Sequence, residues 1–237
     1  MNNYQIITDS VQLNKFIDGF LPDLQEDECF YGCLFARSKY AKNEDGSNKF
    51  PHIKTDKAQL KRFIFKDKKD VYWKLKQSEV PFGSYRTKDG DDVPQEALSI
   101  YINPNPRSQK KALFVLMKKL IDIQECNNKG FNINTEAISA IQKSRSRNIF
   151  VDFDIDTKDI DLSYLNTILP PHGFEILETR GGYHILVIPG SFRINEAERN
   201  WYLKIKEHFN VDQVGDNMIP MPGTYQGGFT PKIINIQ

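Results

Sequence analysis

The sequence predicts an α+β fold, in which a ferredoxin-like βαββαβ sheet in the C-terminal half packs with an N-terminal α/β module. Three observations carry this expectation. From Asn148 to Asp156 the residues alternate, with Ile149, Val151, Phe153 and Ile155 on one face and Asp152, Asp154 and Asp156 on the other, the period of a half-buried strand. Farther on, Phe174–Leu177 and Tyr183–Ile188 flank Glu178-Thr179-Arg180-Gly181-Gly182, a glycine-bearing hairpin. Two helical stripes separate these strands from what comes next. One carries Leu162, Leu165, Ile168 and Leu169 and stops at Pro170-Pro171; the other, opened by Asn195, carries Ala197, Trp201, Ile205 and Phe209. The closing strand is expected in the extended stretch Asn217–Pro222. In this topology the first and third strands are neighbours, so the acidic strand should lie beside the one carrying His184.

The earlier elements follow in order. Thr8-Asp9-Ser10 supplies an N-cap for a helix bearing Val11, Leu13, Phe16, Ile17 and Phe20 and ending near Pro22. Phe30–Ala36 reads as a buried strand running into the basic stub Arg37-Ser38-Lys39-Tyr40. A polar surface loop spans 41–51, after which Thr55 is expected to cap a short helix carrying Leu60, Phe63 and Ile64. Leu98–Ile102 is another strand. It ends in Asn103-Pro104-Asn105-Pro106-Arg107, and Ser108 then caps a helix through Ala112, Leu113, Leu116, Met117 and Leu120. Thr135 opens one more helix, 137–143. A division into 1–130 and 131–237, with the seam near Asn127-Asn128-Lys129-Gly130, is the expected organisation, both parts forming one compact unit.

At 237 residues the chain can bury a sizeable core, and 39% hydrophobic with 27% charged residues describes an ordinary globular protein. Lys+Arg 32 against Asp+Glu 31 leaves no global basic field, so contact with nucleic acid must come from local patches. The mixed-charge runs 66–70 and 85–90 read as solvated faces. No apolar run has the length of a membrane span and the first residues do not resemble a signal peptide, so no membrane partner is expected. Three cysteines, Cys29, Cys33 and Cys126, are too few for a disulfide framework or a Cys-rich zinc site, which points to a reducing, cytoplasmic setting.

The acidic strand raises a chemical question. Carboxylates lined up on a half-buried strand repel one another and lose hydration, so a cation opposite them, such as Mg2+ or Mn2+, would relieve both penalties. An edge strand with a solvated acidic face is the plain alternative. Beside the strand, Gly181-Gly182 lets backbone N–H groups approach an anion, Arg180 adds a fixed positive charge and His184 a ring donor, although a histidine here could equally be structural. Asp212 and Asp216 are both candidates for a third carboxylate. Arg107 with Lys110 and Lys111 sits where a strand hands over to a helix N-terminus, a place suited to a phosphate or, equally, a proline-stiffened turn with solvent-facing bases.

These residues carry a resemblance. Val151-Asp152-Phe153-Asp154 resembles the hydrophobic-Asp-hydrophobic-Asp motif of the archaeo-eukaryotic primase superfamily, Gly182-Tyr183-His184 its small-residue-x-His motif, and Val211-Asp212 its hydrophobic-Asp motif. Pro222-Gly223-Thr224 is similar to a segment following the third motif in plasmid and phage primase-polymerases. The resemblance covers the C-terminal half and implies an RRM-like palm and template-directed nucleotidyl transfer, for primer synthesis or extension. By it, Asp152, Asp154 and Asp212 would hold two divalent cations, one at the attacking 3′-hydroxyl and one at the incoming triphosphate, with His184 on that triphosphate. Local chemistry adds Arg180, Gly181, Gly182 and Arg147 as nucleotide contacts, and Arg107, Lys110, Lys111 and Arg37 as template contacts. The implied partners are a single-stranded DNA template, a primer and dNTP or NTP. No zinc cluster or Walker-type loop is present, so a helicase and a single-strand-binding protein would be separate chains in a bacterial host or phage-infected cell. Many relatives carry an arginine just before Pro-Gly-Thr, where this chain has Ile219-Pro220-Met221. Two other readings are a different RRM-palm nucleotidyltransferase and a non-catalytic RRM-like module binding single-stranded nucleic acid, although the latter wants aromatics where Asp152 and Asp154 stand.

Overall fold

A computed structural model describes residues 2–43, 45–51, 58–126 and 131–234. In chain order its strands are β1 (Glu28–Ala36), β2 (Ala58–Phe65), β3 (Leu98–Ile102), β4 (Arg107–Ser108), β5 (Val151–Ile155), β6 (Phe174–Glu178), β7 (Tyr183–Val187), β8 (Gln213–Gly215), β9 (Ile219–Pro220) and β10 (Lys232–Ile234). The α-helices are α1 (Ser10–Lys15), α2 (Lys69–Lys76), α3 (Gln109–Cys126), α4 (Ile133–Lys143), α5 (Leu165–Ile168) and α6 (Trp201–His208). The fold is mixed α+β with two antiparallel sheets, ordered β2-β1-β3-β9, with β4 also on β1, and β10-β6-β7-β5-β8.

The first sheet forms around β1, buried along its whole length. The helix expected at Leu60, Phe63 and Ile64 is instead strand β2, and Thr55 lies outside the described residues. Pairing decided this: Phe63 and Phe65 sit opposite Gly32 and Phe30, and both are buried on the face turned to the core. Gly32 makes room, since a Cβ there would stand 2.9 Å from the Phe65 ring. Two of the expected helix caps are observed. Asp9 accepts from the Val11 and Gln12 N–H groups at the head of α1, and Ser108 Oγ accepts from Lys111 N–H at the head of α3. The helix at 137–143 begins earlier, with Asn132 as cap of α4.

In the second sheet β5 and β7 are neighbours, as the strand–helix–hairpin order requires. The closing strand, however, is β8 and not 217–222. Gly215 takes φ +141, and the chain leaves this sheet there to cross to the first, where β9 pairs with β3 through Tyr101↔Pro220 and Ile102↔Ile219. The helix expected from Asn195 begins only at Trp201, because Asn200 sits in the left-handed region at φ 66, where a right-handed helix cannot continue. The segment carrying Leu162 and Leu165 starts as a 3-10 turn before α5.

The alternation along β5 and β7 divides their side chains between two cores. Phe153, Ile155, Ile185 and Val187 pack with Ile168 of α5 and Ile205 of α6. On the other face, Leu177 and Leu186 join Leu34, Ile100, Phe150, Ile219 and Met221 in a core shared by both sheets. Asp152 and His184 lie on this inner face. Among the described residues no helix is long and apolar enough to cross a membrane. The thiols of Cys29 and Cys33 are free and buried in β1, and burial pushes them up to about 11 and about 12.

Candidate active site

Strand periodicity and register bring the acidic strand and the histidine together. Asp154 lies directly across from His184, and Asp152 across from Leu186, so both carboxylates share the face of the imidazole. Asp212 is set at the end of β5 by its own N–H, which donates to Asp154 O at 2.9 Å. The hairpin after β6 closes over this end: Gly182 N–H donates to Thr179 Oγ1, and Thr179 N–H to Gly182 O. Only glycine fits at 182, since a Cβ would lie 1.9 Å from Ile155 O.

Asp152 is 1% exposed; its Oδ1 accepts from His184 Nδ1 at 2.9 Å, while its Oδ2 is buried with no hydrogen-bond partner among the described residues. The other ring nitrogen, His184 Nε2, stands 3.5 Å from Asp154 Oδ1. Burial works against a charge on His184, but the Asp152 carboxylate, by charge and by hydrogen bond, with Asp154 and Asp156 behind it, holds its pKa above the ordinary imidazole value. Asp154 is raised above the usual carboxylate range by burial; His184 pulls it down, and Asp152, Asp156 and Asp212 push it up. Too many negative groups thus crowd one place.

A cleft of about 940 Å3 opens over these groups, between the two sheets. Asp154, Asp156, His184 and Asp212 line it from the second sheet, together with Arg180 and Gly181 of the hairpin. Across from them stand Arg37, Lys39, Tyr40, Lys42 and Tyr101. Arg37 Nη1 donates to Tyr101 Oη at 2.5 Å, the two phenol oxygens lie 3.0 Å apart, and Gln226 Nε2 donates to Tyr40 Oη at 2.8 Å. Gln226 Oε1 in turn accepts from Arg180 N–H, which ties the hairpin to this wall. Both guanidiniums lie over the Tyr40 ring, Arg180 at 5.0 Å and Arg37 at 5.4 Å from its centre. Burial, with Tyr101 alongside, pushes the Tyr40 phenol well above its usual range, so it stays neutral beside two cations.

The structure therefore brings together Asp152, Asp154, Asp212, His184, Arg180, Gly181 and Gly182, and adds Arg37, expected only as a template contact. It sets the other candidates apart. Arg107 is buried in a bidentate pair with Asp216, Nη1 to Oδ2 at 2.6 Å and Nη2 to Oδ1 at 2.9 Å. That pairing removes Arg107 from any template surface and leaves Asp212, not Asp216, facing the cleft. Arg147 is taken up by buried Glu28, with N···O distances of 2.8 and 2.7 Å; burial pushes the Glu28 carboxyl up, but Arg147, the Gln25 N–H and Ser146 together hold it below the usual carboxylate range. Lys111 Nζ donates to Arg145 O and Ser146 O, and Lys110 is exposed on the first turn of α3; neither lines the cleft.

Lys42, Tyr101 and Gln226 were not singled out from the sequence, and Lys39 and Tyr40 only as part of the basic stub 37–40. A signal existed for Tyr101, because Leu98, Ile100 and Ile102 alternate with Ser99 and Tyr101, but nothing local says that this second face meets a cleft. The Pro222-Gly223-Thr224 segment holds α1: Gly223 O accepts from Thr8 and Asp9 N–H, and a Cβ at 223 would stand 2.4 Å from Asp9 O.

Among the described residues no three His, Cys, Asp or Glu side chains form a set that could hold a metal ion. The donor chemistry nonetheless fits a hard divalent cation: several carboxylates crowded around one imidazole, an orphaned buried Asp152 Oδ2, and an Asp154 whose ionisation is disfavoured by burial and by the neighbouring carboxylates. Comparison of the chain with protein-family models, curated proteins and solved structures returns no match.

Proposed function

We propose that this chain is a nucleotidyltransferase of the primase-polymerase type, joining dNTP or NTP to a 3′-hydroxyl on a single-stranded DNA template. The observation that carries this reading is the polarity of the cleft. Asp154, Asp156 and Asp212 line one wall and Arg37, Lys39 and Lys42 the other, with Arg180 beside them. A polyphosphate accompanied by cations complements both walls at once; a simple anion or a simple cation complements only one.

The strand order β8-β5-β7-β6, with α5 and α6 packed on the face away from the carboxylates, supports an RRM-like palm. Asp154 and Asp212, with Asp152 behind them, would hold Mg2+ or Mn2+. Such cations lower the pKa of the attacking hydroxyl and neutralise the developing charge on the phosphates. The protein's own groups do the rest. Asp152 fixes the His184 ring through Nδ1 and so directs Nε2–H towards Asp154 and the cleft, where it can donate to a phosphate oxygen. Arg180, carried on the Gly181-Gly182 hairpin, and Arg37, fixed by Tyr101, grip the remaining phosphate oxygens. These two supply cationic charge that the segment before Pro222 lacks.

A non-catalytic strand-binding module needs exposed aromatics on the sheet face. Tyr40 and Tyr101 are only 8% and 9% exposed and are spent on hydrogen bonds, and the open face carries carboxylates. A helicase and a single-strand-binding protein are proposed as separate partners in the bacterial or phage-infected cytoplasm.

The test is incubation with labelled dNTPs or NTPs and Mg2+ or Mn2+, on a single-stranded template with and without primer. Template-dependent incorporation that disappears in Asp154→Ala supports the reading. Nucleotide addition indifferent to the template would assign the site to another RRM-palm nucleotidyltransferase, and no incorporation under any of these conditions would reject catalysis.

A further inference from the structure

Three cations of the cleft meet at one aromatic ring. The Arg180 and Arg37 guanidiniums and Lys39 Nζ lie 5.0, 5.4 and 5.7 Å from the centre of Tyr40, and Arg37 is also 5.4 Å from the centre of Tyr101. Arg37 and Lys39 follow directly on β1, whereas Arg180 is carried by the β6–β7 hairpin of the other sheet. The ring between them is held from two sides. Its hydroxyl is bonded to Gln226 and Tyr101, and its root packs on the backbone at Gly227, where a Cβ would stand 2.6 Å from Tyr40 Cβ and Cγ.

Like charges this close repel one another, and Arg180 and Lys39 are exposed, with long side chains that solvent would otherwise scatter. A carboxylate could gather them only by cancelling their charge. A neutral ring attracts each cation and leaves its charge in place. A second tie fixes the spacing. Gln226 donates to Tyr40 Oη and accepts from the Arg180 N–H, so ring and hairpin are joined to one side chain. Cations assembled beforehand from both walls suit an anion with charged oxygens on successive groups, a polyphosphate.

We propose that Tyr40 is the positioning residue that gathers Arg37, Lys39 and Arg180 into a single polyphosphate clamp. Gln226 sets the distance between the clamp's two halves. Which substrate carries the phosphates rests on the nucleotidyl-transfer reading; the gathering of the cations does not.

Calorimetric titration of the full chain with inorganic tripolyphosphate and Mg2+ should give a dissociation constant that rises about 10-fold in Tyr40→Leu and less than about 3-fold in Tyr40→Phe, which keeps the ring. The KM for nucleotide should rise in parallel while kcat moves less, a split that general loosening of the fold does not produce. Where Tyr40→Leu fails to fold, phenylalanine and its mono-, di- and trifluorinated forms at position 40 keep the ring's shape while weakening its negative face. Binding should then weaken with each fluorine. A flat fluorine series overturns the proposal, and so does wild-type affinity in Tyr40→Leu or a wild-type chain that does not bind tripolyphosphate. If nucleotide is still incorporated after such a result, the nucleotidyl-transfer reading stands without the clamp. Tripolyphosphate binding that weakens along the series in a chain that incorporates nothing upholds the clamp and removes the chemistry.

Discussion

Two buried polar clusters lie on either side of β5, and they are built to opposite ends. At its start, Asn105 Oδ1 accepts from the Ile149 and Phe150 N–H groups, and Asn105 Nδ2 donates to Phe150 O and to Asp216, which also takes both terminal nitrogens of Arg107. Charge is matched there, and only Arg107 Nε lacks a partner. Along the strand itself, Asp152 and Asp154 share one imidazole; one carboxylate oxygen is orphaned, and Asp156 and Asp212 add more negative charge. The first cluster ties the chain after β3, the start of β5 and the residue after β8 together, so it joins both sheets. The second sits in the cleft those sheets form and leaves its electrostatics incomplete. The first group is internally matched, whereas the second is left with charge that, on the proposed function, a ligand would complete.

The largest expected effect breaks the second cluster. Asp154→Ala or Asp212→Ala should lower nucleotide incorporation by about 10³-fold or more while the unfolding transition is retained, measured by primer extension alongside thermal melts. Next is the first cluster. Asp216→Ala leaves the Arg107 guanidinium buried without its counter-charge and should cost about 3 kcal/mol in urea denaturation. If Asp216→Ala instead abolished incorporation at unchanged stability, the division between the clusters would be wrong. Third, Arg180→Ala should raise the KM for nucleotide by about 10-fold with a smaller change in template affinity, because the hairpin's N–H bond to Gln226 does not need the side chain.

The smallest effect sharpens the contrast in stability. Asp154 titrates above the usual carboxylate range in the folded protein, so the folded state binds the extra proton. Stability is therefore lost as pH rises from the unfolded carboxylate value through the raised one. Asp154→Asn removes that loss and should stabilise the metal-free protein at neutral pH by about 1 kcal/mol, a rise of a few degrees in Tm. His184, also raised, adds stability below the ordinary imidazole pKa that fades as pH climbs through its folded value. The other carboxylates cancel between wild type and Asp154→Asn, so a Tm advantage of the variant that shrinks as pH rises through the carboxylate range would contradict the Asp154 assignment.

Much of this site was legible because strand periodicity is short-ranged. The alternation at 149–155 puts Asp152 and Asp154 on one face whatever lies around them, and the strand–helix–hairpin order predicts the β5–β7 pairing that sets His184 beside them. The partners of the cations were not legible. Arg107 and Arg147 looked like phosphate ligands because each precedes a helix or strand start, yet each is matched to an acid more than a hundred positions away, Asp216 and Glu28. The fate of 58–65 was likewise decided by β1, since Leu60, Phe63 and Ile64 fit a helical spacing as well as a strand.

By itself, then, the sequence determined which residues face the same way along β5, which glycines let the hairpin close, and which residues cap α1 and α3, since each depends on neighbours a few positions apart. Only tertiary structure decided that Arg37, Tyr40 and Tyr101 oppose the carboxylates, that Asp212 and not Asp216 looks into the cleft, and that the chain crosses after β8 to form β9 in the other sheet. Those outcomes depend on charges and backbones meeting across long separations, and such meetings are chosen by packing and not by local pattern.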